Sequence, residues 1–294
     1  MVHNCPAVTD AARSVAGAAI DWVVEAPFAP IAAMHPAVRR VIPVRVRAWR
    51  RQWWRSATWS ELGEFRRELA AERYDAIVDT QSLLKSALIA RLASGTRHGM
   101  DPRSARETLA SCFYQKTYPV LPGVHAVERN RRLAAAALGY SLTGPADYGL
   151  RPVARAGDVK PYVVFLTMTS RADKLWDEAK WIELGRAIGG DIVLPWGSDV
   201  ERARAERIAR ALPGTRVPAR MAVGEIAELL ARAQAVVGVD TGLTHLAAAL
   251  GVQTVGIYCG SDPALTGLYG APRAKNVGAP GRVPDVGEVR RALR

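Results

Sequence analysis

Cysteine is scarce in this chain of 294 residues, which has only Cys5, Cys112 and Cys259, far apart from one another. Their positions match neither a metal-binding pattern nor a disulfide pattern, which is typical of a protein in a reducing compartment. Internal repeats and low-complexity tracts are absent as well. These absences exclude a disulfide scaffold and a repeat array, and they leave an ordinary globular protein.

A long apolar run is missing too. The apolar stretch at residues 15–34 is interrupted by Asp21, Glu25 and two prolines, so it cannot span a bilayer as a helix. The N-terminus does not have the basic-then-apolar layout of a signal peptide. We therefore expect a soluble protein of the cytoplasm.

Acidic residues are outnumbered, because 28 Asp and Glu stand against 40 Lys and Arg, which gives a net charge of +12. Such a charge favours an acidic partner: a nucleic acid, an anionic membrane surface or a polyanionic substrate. No RNA- or DNA-binding signature accompanies the charge, so we expect no nucleic acid as partner. The sequence does not specify an oligomeric state.

Strand-like and helix-like segments alternate along the chain, which predicts parallel sheets with right-handed crossovers. Strands are predicted near residues 20–24, 41–44, 74–79, 162–166, 192–194, 236–239 and 254–258, and helices at 6–15, 61–72, 83–92 and 126–138. The region between the helices at 83–92 and 126–138 is basic and is predicted to be irregular. Residues 141–160, rich in Gly, Pro and charge, predict a linker between domains at 1–150 and 151–294. We expect an α/β fold of two Rossmann-like lobes with a ligand cleft between them.

The segment Val236–Gly251 is the most informative part of the sequence. It predicts a buried strand, a tight Asp-Thr-Gly turn and an amphipathic helix, an arrangement whose exposed N–H groups bind phosphate. Gly242 is expected to let the backbone approach an anion, and the hydroxyls of Thr241 and Thr244 to add hydrogen bonds. His245, in the first turn, is expected to reach the same pocket. An ordinary strand–turn–helix is the alternative interpretation.

The chain resembles the ADP-heptose:lipopolysaccharide heptosyltransferases over nearly its whole length. The resemblance is densest in several short segments: Val236–Tyr258, Gly260–Pro263, Leu194–Gly197, Lys85–Ala87, Arg97–Met100, Ala105–Arg106, Tyr114, His125–Arg129 and Leu138–Tyr140. The Arg-His-Gly and His-Ala-Val-Glu-Arg segments point to the first-acting enzymes of that family.

The resemblance implies a two-lobed glycosyltransferase of the GT-B type that inverts the anomeric carbon and uses no metal or other cofactor. It implies transfer of L-glycero-D-manno-heptose from ADP-heptose to Kdo of the Kdo-lipid A precursor. The reaction would take place at the inner face of the inner membrane, with which the protein would be peripherally associated. The N-terminal lobe would bind the acceptor, and the C-terminal lobe would bind ADP-heptose.

A metal-free glycosyl transfer must neutralise the departing nucleotide diphosphate with cations and helix N-termini. By resemblance, Thr169 and Ser170 hold the diphosphate together with Lys174, which answers the leaving-group charge. The structural alternative makes Thr-Ser a helix N-cap and Lys174 a solvated charge.

By resemblance, the donor site also contains Asp240, which contacts heptose hydroxyls, and the backbone of Thr241 and Gly242, which contacts the phosphate. Glu201 would bind the ribose, and Met221 would line the adenine pocket. His245 belongs to the same set, with a core histidine on a helix face as the alternative. Glu201 would need no explanation as a surface residue, and Met221 none as a core residue.

A basic segment interleaves with tryptophans at positions 45–55: Arg45, Arg47, Arg50, Arg51 and Arg55 with Trp49, Trp53 and Trp54. Arginine forks suit carboxylates and phosphates, and tryptophans suit the boundary between acyl chains and headgroups. We interpret the segment as acceptor-binding through Arg47, Arg50 and Arg51, with a solvated basic face as the alternative. A second basic set is predicted to face the same anion: Lys85, His98, Arg103, Arg106 and Lys116.

The start of the chain departs from the family pattern. Family members open with a strand and a Met-Gly-Asp-type loop whose Asp is thought to be the general base, and Met1–Asp10 matches the segment just after that Asp. We therefore expect an N-terminal sheet one strand short and a true start codon upstream of Met1. The alternatives are a catalytically silent nucleotide-sugar or polyanion-binding protein and a later-acting heptosyltransferase. An upstream reading frame that encodes a strand and a Gly-Asp loop would favour the enzyme, and a stop codon would favour the binder.

Overall fold

The computed structural model describes residues 1–121, 123–151 and 160–294, which form two compact units. Met1 and His3–Gly149 make the N-terminal unit, and Leu150–Arg294 with Val2 make the C-terminal unit. Most of the second half of the predicted linker, residues 152–159, lies outside the described residues. None of the described helices is long and apolar enough to cross a membrane.

The N-terminal unit alternates helices and parallel strands. Its helices are α1 (Cys5–Ser14), α2 (Ala29–Ala33), α3 (Val46–Arg51), α4 (Ser56–Ala70), α5 (Leu84–Ala90) and α6 (Ala126–Leu138). Its strands are β1 (Ile20–Glu25), β2 (Val38–Val44), β3 (Arg73–Val78), β4 (Ser94–Met100) and β5 (Lys116–Tyr118). Within the described residues these strands form two separate sheets, β1-β2 and β3-β4-β5.

The prediction of an irregular region before α6 is wrong, because that region contains β4 and β5. β4 reads Ser-Gly-Thr-Arg-His-Gly-Met and shows no alternation of apolar residues, so its sequence gives no strand signal. Its two glycines are nevertheless required by close packing. A Cβ on Gly99 would lie 2.1 Å from the ring of Tyr114, and a Cβ on Gly95 would lie 2.3 Å from the carbonyl oxygen of Tyr74.

Two kinds of contact hold the N-terminal unit together. An apolar cluster with Ile42, Phe65 and Leu69 packs α4 against β2. A buried ion pair links α1 to α6, because Nε of Arg131 lies 2.7 Å from Oδ2 of Asp10. Removing one partner of such a pair leaves an uncompensated buried charge, which costs about 3–5 kcal/mol.

The C-terminal unit is a doubly wound α/β layer around one parallel sheet. The strands are β6 (Tyr162–Leu166), β7 (Asp191–Val193), β8 (Thr215–Arg216), β9 (Ala235–Val239), β10 (Gln253–Tyr258) and β11 (Ala274–Gly278), in the order β11-β10-β9-β6-β7-β8. The helices are α7 (Glu178–Ile188), α8 (Asp199–Arg210), α9 (Val223–Arg232), α10 (Gly242–Ala249), α11 (Pro263–Thr266) and α12 (Val286–Ala292).

The central strands of this sheet are buried along their whole length, because helices cover both faces. The core on one face is aromatic: Trp181 packs against Phe165 at 4.9 Å between ring centroids and against Trp176 at 5.1 Å. β9 lies between β6 and β10, in registers that pair Gly238 with both Leu166 and Gly256. The loops that follow β6, β9 and β10 therefore meet at the carboxyl edge of the sheet, where open α/β sheets bind their ligands.

Candidate functional site

A buried carboxylate lies at the centre of this edge. Asp240 directly follows β9 and is 7% exposed. Its Oδ2 accepts hydrogen bonds from Nζ of Lys174 at 2.6 Å and from Oγ of Ser261 at 2.6 Å. Its Oδ1 lies 3.2 Å from Nε2 of His245, which donates because an ionised carboxylate only accepts. Side chains from three loops and one helix therefore meet on one carboxylate.

Burial alone would raise the pKa of Asp240, because a charged carboxylate loses hydration in the interior. The hydrogen bonds from His245, Lys174 and Ser261 outweigh that effect and hold the pKa of Asp240 well below its ordinary value. Asp240 is therefore a carboxylate, and the neighbouring ammonium of Lys174 balances its charge. The pair is a preformed, charge-assisted contact beside the N-terminus of α10.

The loop after β6 supplies three of the predicted residues and supports the turn. Thr169 donates from Oγ1 to the backbone carbonyl of Asp240 at 3.0 Å, so it fixes the Asp-Thr-Gly turn. Ser170, next along the chain, is exposed. Lys174 ends a short 3₁₀ turn, Ala172–Lys174, and its side chain is 18% exposed, so it is only partly covered by the protein.

The N-terminus of α10 opens beside the carboxylate. Thr241 occupies the N-cap position, and its side chain makes no capping hydrogen bond. Gly242 is exposed, and a Cβ built on it would meet no atom within 4 Å. The first N–H groups of a helix have no partner within the helix, so an anion placed over Gly242 would accept hydrogen bonds from them.

The expected role of Thr244 is wrong. Its hydroxyl is fully buried and donates to the backbone carbonyl of Val239 at 2.8 Å, so it faces the sheet rather than a ligand. Gly238 makes room for it, because a Cβ on that glycine would lie 2.2 Å from Oγ1 of Thr244. Thr244 therefore sets the distance between α10 and β9.

Two predicted nucleotide contacts lie elsewhere in the C-terminal unit. Glu201 is in the first turn of α8, where its Oε2 accepts from the backbone N–H of Gly197 at 2.6 Å. This contact fixes the loop Pro195–Ser198, whose Trp196 donates from Nε1 to the carbonyl of Pro218 at 2.8 Å. Met221 is half-buried just before α9 and lies outside the aromatic core cluster.

The predicted acceptor segment divides into a packed part and an exposed part. Trp49 is packed, since its ring lies 5.5 Å from Phe65 and its Nε1 donates to Oε2 of Glu61 at 2.9 Å. The exposed part has two adjacent indoles, Trp53 and Trp54, at 64% and 66% exposure. The arginines predicted to contact the acceptor are all exposed on or beside α3: Arg47, Arg50 and Arg51.

The second basic set is also only partly exposed. Lys85 is exposed on α5, and Arg103 and Arg106 are exposed in the segment after β4. His98 is 4% exposed, and its Nδ1 lies 2.9 Å from the hydroxyl of Tyr118. Burial, helped by the nearby charge of Lys116, lowers the pKa of His98 and keeps its ring neutral.

Sequence reasoning missed two residues at these places. Ser261 donates to Asp240, and the sequence marks its segment Gly260–Pro263 only through the family resemblance. Trp59, on α4, is 61% exposed and donates from Nε1 to the backbone carbonyl of Trp53 at 2.9 Å, so three exposed indoles lie in one region.

Comparison with solved structures defines the class. Heptosyltransferase WaaC from E. coli, solved with ADP, has a TM-score of 0.91 and 42% sequence identity, with 99% of this chain and 94% of that chain covered. The same enzyme solved with ADP-2-deoxy-2-fluoro heptose has a TM-score of 0.87. The E. coli ADP-heptose heptosyltransferase II structure shares the fold, with a TM-score of 0.76 at 22% identity. The fold is that of the GT-B glycosyltransferases.

The family follows from the sequence. Residues 62–292 match the model of glycosyltransferase family 9, the heptosyltransferases. The chain is 47% identical over 277 residues to lipopolysaccharide heptosyltransferase 1 of Pseudomonas aeruginosa, with 92% of this chain and 78% of that protein covered. It is 45% identical over 280 residues to the Salmonella typhimurium enzyme of the same name, with 92% and 88% covered. The chain therefore belongs to glycosyltransferase family 9 and is a glycosyltransferase, as its sequence predicts.

Proposed function

We propose that the protein transfers L-glycero-D-manno-heptose from ADP-heptose to Kdo of the Kdo-lipid A precursor, with inversion, in synthesis of the lipopolysaccharide inner core. The observation that carries the proposal is the Lys174–Asp240 pair beside the open N-terminus of α10, in a chain 42% identical to an enzyme solved with ADP. Four relatives named heptosyltransferase 1 are 44–47% identical to the chain, whereas a heptosyltransferase 3 is 26% identical, which favours the first-acting over the later-acting enzyme.

The donor site answers the charge that develops on the leaving ADP. Lys174 would share its ammonium between Asp240 and the diphosphate, and the N–H groups at Thr241 and Gly242 would receive phosphate oxygens. Ser170 would add a hydroxyl, and Thr169 would hold the turn in place. These donors are in position before the reaction, so they stabilise the developing charge without reorganisation.

The remaining donor contacts would orient the sugar and the nucleoside. Asp240 would accept from heptose hydroxyls while His245 supports its other oxygen. Glu201 already fixes the loop before α8 through one carboxylate oxygen, and the other would accept from the ribose. Met221 would line the adenine pocket with a flexible, polarisable side chain. We assign no metal to this chemistry.

The N-terminal unit would bind the acceptor. Arg47, Arg50 and Arg51 would contact Kdo carboxylates and lipid phosphates, for which guanidinium forks are suited. Three exposed cations would complete the anion site: Lys85, Arg103 and Arg106. The predicted fourth member, His98, is buried and neutral, so it would add no charge to that site. The exposed indoles of Trp53 and Trp54 would enter the headgroup boundary of the cytoplasmic leaflet, which associates the protein peripherally with the inner membrane.

The direct test is a transfer assay with ADP-heptose and two acceptors, the Kdo-lipid A precursor and the same precursor that already carries one heptose. The proposal expects product with the first acceptor only. Product with the second acceptor alone would assign a later step. Binding of ADP-heptose without any product would make the chain a silent nucleotide-sugar-binding protein.

The acceptor assignment has its own test, in which Arg47, Arg50 and Arg51 are replaced together by alanine. The apparent acceptor constant should rise while ADP-heptose binding stays nearly unchanged. Association with anionic vesicles should weaken by about 1 kcal/mol per arginine and depend on salt. A triple replacement of exposed arginines outside the segment is the matched control: Arg66, Arg91 and Arg132. Equal loss of donor and acceptor binding would make the segment structural.

A further inference from the structure

Ser261 lies in the loop between β10 and α11, and its hydroxyl points at the donor site. Oγ of Ser261 donates to Oδ2 of Asp240 at 2.6 Å. The same oxygen accepts from Nζ of Lys174, also at 2.6 Å. One carboxylate oxygen therefore accepts from two donors of different charge. An anionic ligand attracts the ammonium of Lys174 strongly and the neutral hydroxyl of Ser261 only weakly.

A glycine brings this serine close enough. A Cβ on Gly260 would lie 2.5 Å from Oδ2 of Asp173 and 2.6 Å from its backbone oxygen, distances that real Cβ atoms do not show. The loop after β10 thus packs against the 3₁₀ turn that carries Lys174, and only a residue without a side chain permits it. The close approach places Ser261 and Lys174 on the same carboxylate oxygen.

Hydrogen bonds other than that of the serine hydroxyl hold the loop. Asp262 caps α11, because its Oδ1 accepts from the N–H of Ala264 at 2.8 Å. The backbone carbonyl of Asp262 accepts from the N–H of Leu265 at 3.1 Å. These contacts fix the turn locally, so the bond from Ser261 to Asp240 acts on the carboxylate rather than on the loop.

We propose that Ser261 is a positioning residue for heptose: it holds the Asp240 carboxylate in its sugar-binding orientation when Lys174 turns toward the diphosphate. This inference rests on the proposed function, in which Asp240 binds heptose hydroxyls and Lys174 binds diphosphate. As the ammonium shifts toward phosphate, Oδ2 loses part of its strongest contact. The bond from Ser261, with that from His245 to Oδ1, then keeps the carboxylate in one orientation, which affects only a ligand that contacts this carboxylate, namely the heptose.

The test measures binding of ADP and of ADP-heptose by calorimetry for the wild type and for Ser261→Ala, Ser261→Thr and Gly260→Ala. ADP has no heptose, so Ser261→Ala should leave its dissociation constant within about twofold of the wild type. The dissociation constant for ADP-heptose should rise about tenfold, the usual effect of losing one hydrogen bond to a charged group. Ser261→Thr keeps the hydroxyl, so its dissociation constant for ADP-heptose should be close to that of the wild type. Gly260→Ala forces the two loops apart and should weaken ADP-heptose binding at least as much.

Thr266→Ala is the matched control, since it removes a hydroxyl from α11 whose one hydrogen bond within the described residues is to the carbonyl of Asp262. It should leave both dissociation constants unchanged. Equal loss of ADP and ADP-heptose in Ser261→Ala would overturn the proposal, as would an unchanged ADP-heptose constant or failure of the threonine to rescue. A wild type that does not bind ADP-heptose would instead overturn the proposed function, so the two failures are distinct.

Discussion

Each unit of the protein has a buried aspartate directly after a strand of its parallel sheet, and the two differ in their partners. Asp79 follows β3, and its carboxylate accepts from the hydroxyls of Tyr114 and Ser86 at 2.7 Å each, and from the N–H groups of Gln81 and Ser82. Asp240 follows β9 and accepts from a lysine, a histidine and a serine. Both aspartates are 7% exposed.

The difference predicts a structural role for Asp79 and fits the role in donor binding that we propose for Asp240. The donors to Asp79 in the described residues are neutral and belong to its own loop, to α5 and to the segment before β5, so they fix that corner of the N-terminal unit. A neutral hydroxyl gains little by exchanging a carboxylate for another anion. The ammonium of Lys174 carries a charge that a phosphate attracts, so the pair with Asp240 can open toward a ligand. Burial is equal at the two sites, and the charge of the donor decides the role.

The largest expected effect is that of Lys174→Ala on transfer. Turnover should fall by about two orders of magnitude, because one preorganised charge that stabilises the leaving group is lost. Steady-state kinetics with ADP-heptose measures it. Lys160→Ala is the control, since Lys160 is 78% exposed and contacts only Asp191 in the described residues. Normal turnover in a folded Lys174→Ala protein would remove Lys174 from the mechanism and erase the contrast between the two aspartates.

Tyr114→Phe should affect stability and leave donor binding alone. Burial, together with the charge and hydrogen bond of Asp79, raises the pKa of Tyr114, so its hydroxyl remains a donor. Loss of that donor to a charged acceptor should lower the free energy of unfolding by about 1.5–3 kcal/mol, measured by urea denaturation. Tyr140→Phe is the control, because the buried Tyr140 hydroxyl has no hydrogen-bond partner among the described residues. Weakened ADP-heptose binding in Tyr114→Phe would give Asp79 a functional role.

Mild acid should affect the two units differently. His35 is 2% exposed and accepts from the N–H of Ala37 at Nδ1, so its proton is on Nε2, which donates to Thr9. Burial lowers the pKa of His35, so its neutral form stabilises the fold at and above the ordinary histidine pKa of about 6.5. That contribution is lost as the pH falls below this value, because the unfolded chain then binds the proton more strongly.

The depressed pKa of Asp240 acts in a lower range. Its stabilising contribution is present above the ordinary aspartate pKa of about 3.9 and is lost only as the pH falls below it. Unfolding measured at pH 7.5 and 5.5 should therefore show a loss that His35→Gln reduces. His98, whose pKa is also lowered by burial, should contribute to the remainder. Identical losses in wild type and variant would exclude His35 as a source.

The smallest expected effect has the opposite sign. Ser82, in the loop that wraps Asp79, has φ = +52°, where a side chain is strained. Ser82→Gly keeps the backbone N–H that contacts Asp79 and should raise the free energy of unfolding by under about 1 kcal/mol. Gly17→Ala is the reciprocal control, because Gly17 has φ = +69° and open space around its Cβ, and it should lower stability by a similar amount. A destabilised Ser82→Gly protein would show that the serine side chain supports the loop.

The part of the fold that the sequence predicts well is the part with long buried strands. β6 and β9 are continuous apolar runs, and β10 is apolar from Val255 onward. α6 is followed by a glycine with φ = +76°, so the patterns of these elements suffice. β4 and β5 are not predicted from the sequence, because contacts with residues distant in sequence determine which residues fit in these strands. Position 99 in β4 must be glycine because the ring of Tyr114 packs against it, and no local sequence pattern indicates that contact.

The candidate site shows the same division. Asp240, Thr241 and Gly242 are recognisable because they follow one another at the end of a strand. The pairing of Asp240 with Lys174, 66 positions away, and with Ser261 depends on the strand order β10-β9-β6, which sequence spacing does not give. The sequence does not show which way the Thr244 side chain points, because a residue in the first turn of a helix can face either the ligand or the sheet. Gly238, which makes space for it, decides the matter.

The Lys174–Asp240 pair also determines which of the anions in a cell can occupy this site. Any anion that approaches the ammonium competes with a carboxylate that is already in place and has lost no freedom to get there. Chloride or a single carboxylate brings one charge and can make fewer contacts, so it should gain less by entering. A diphosphate brings at least two charges and can engage α10 at the same time. The internal carboxylate therefore acts as a threshold, and an inhibitor for this site should carry two linked negative groups rather than one.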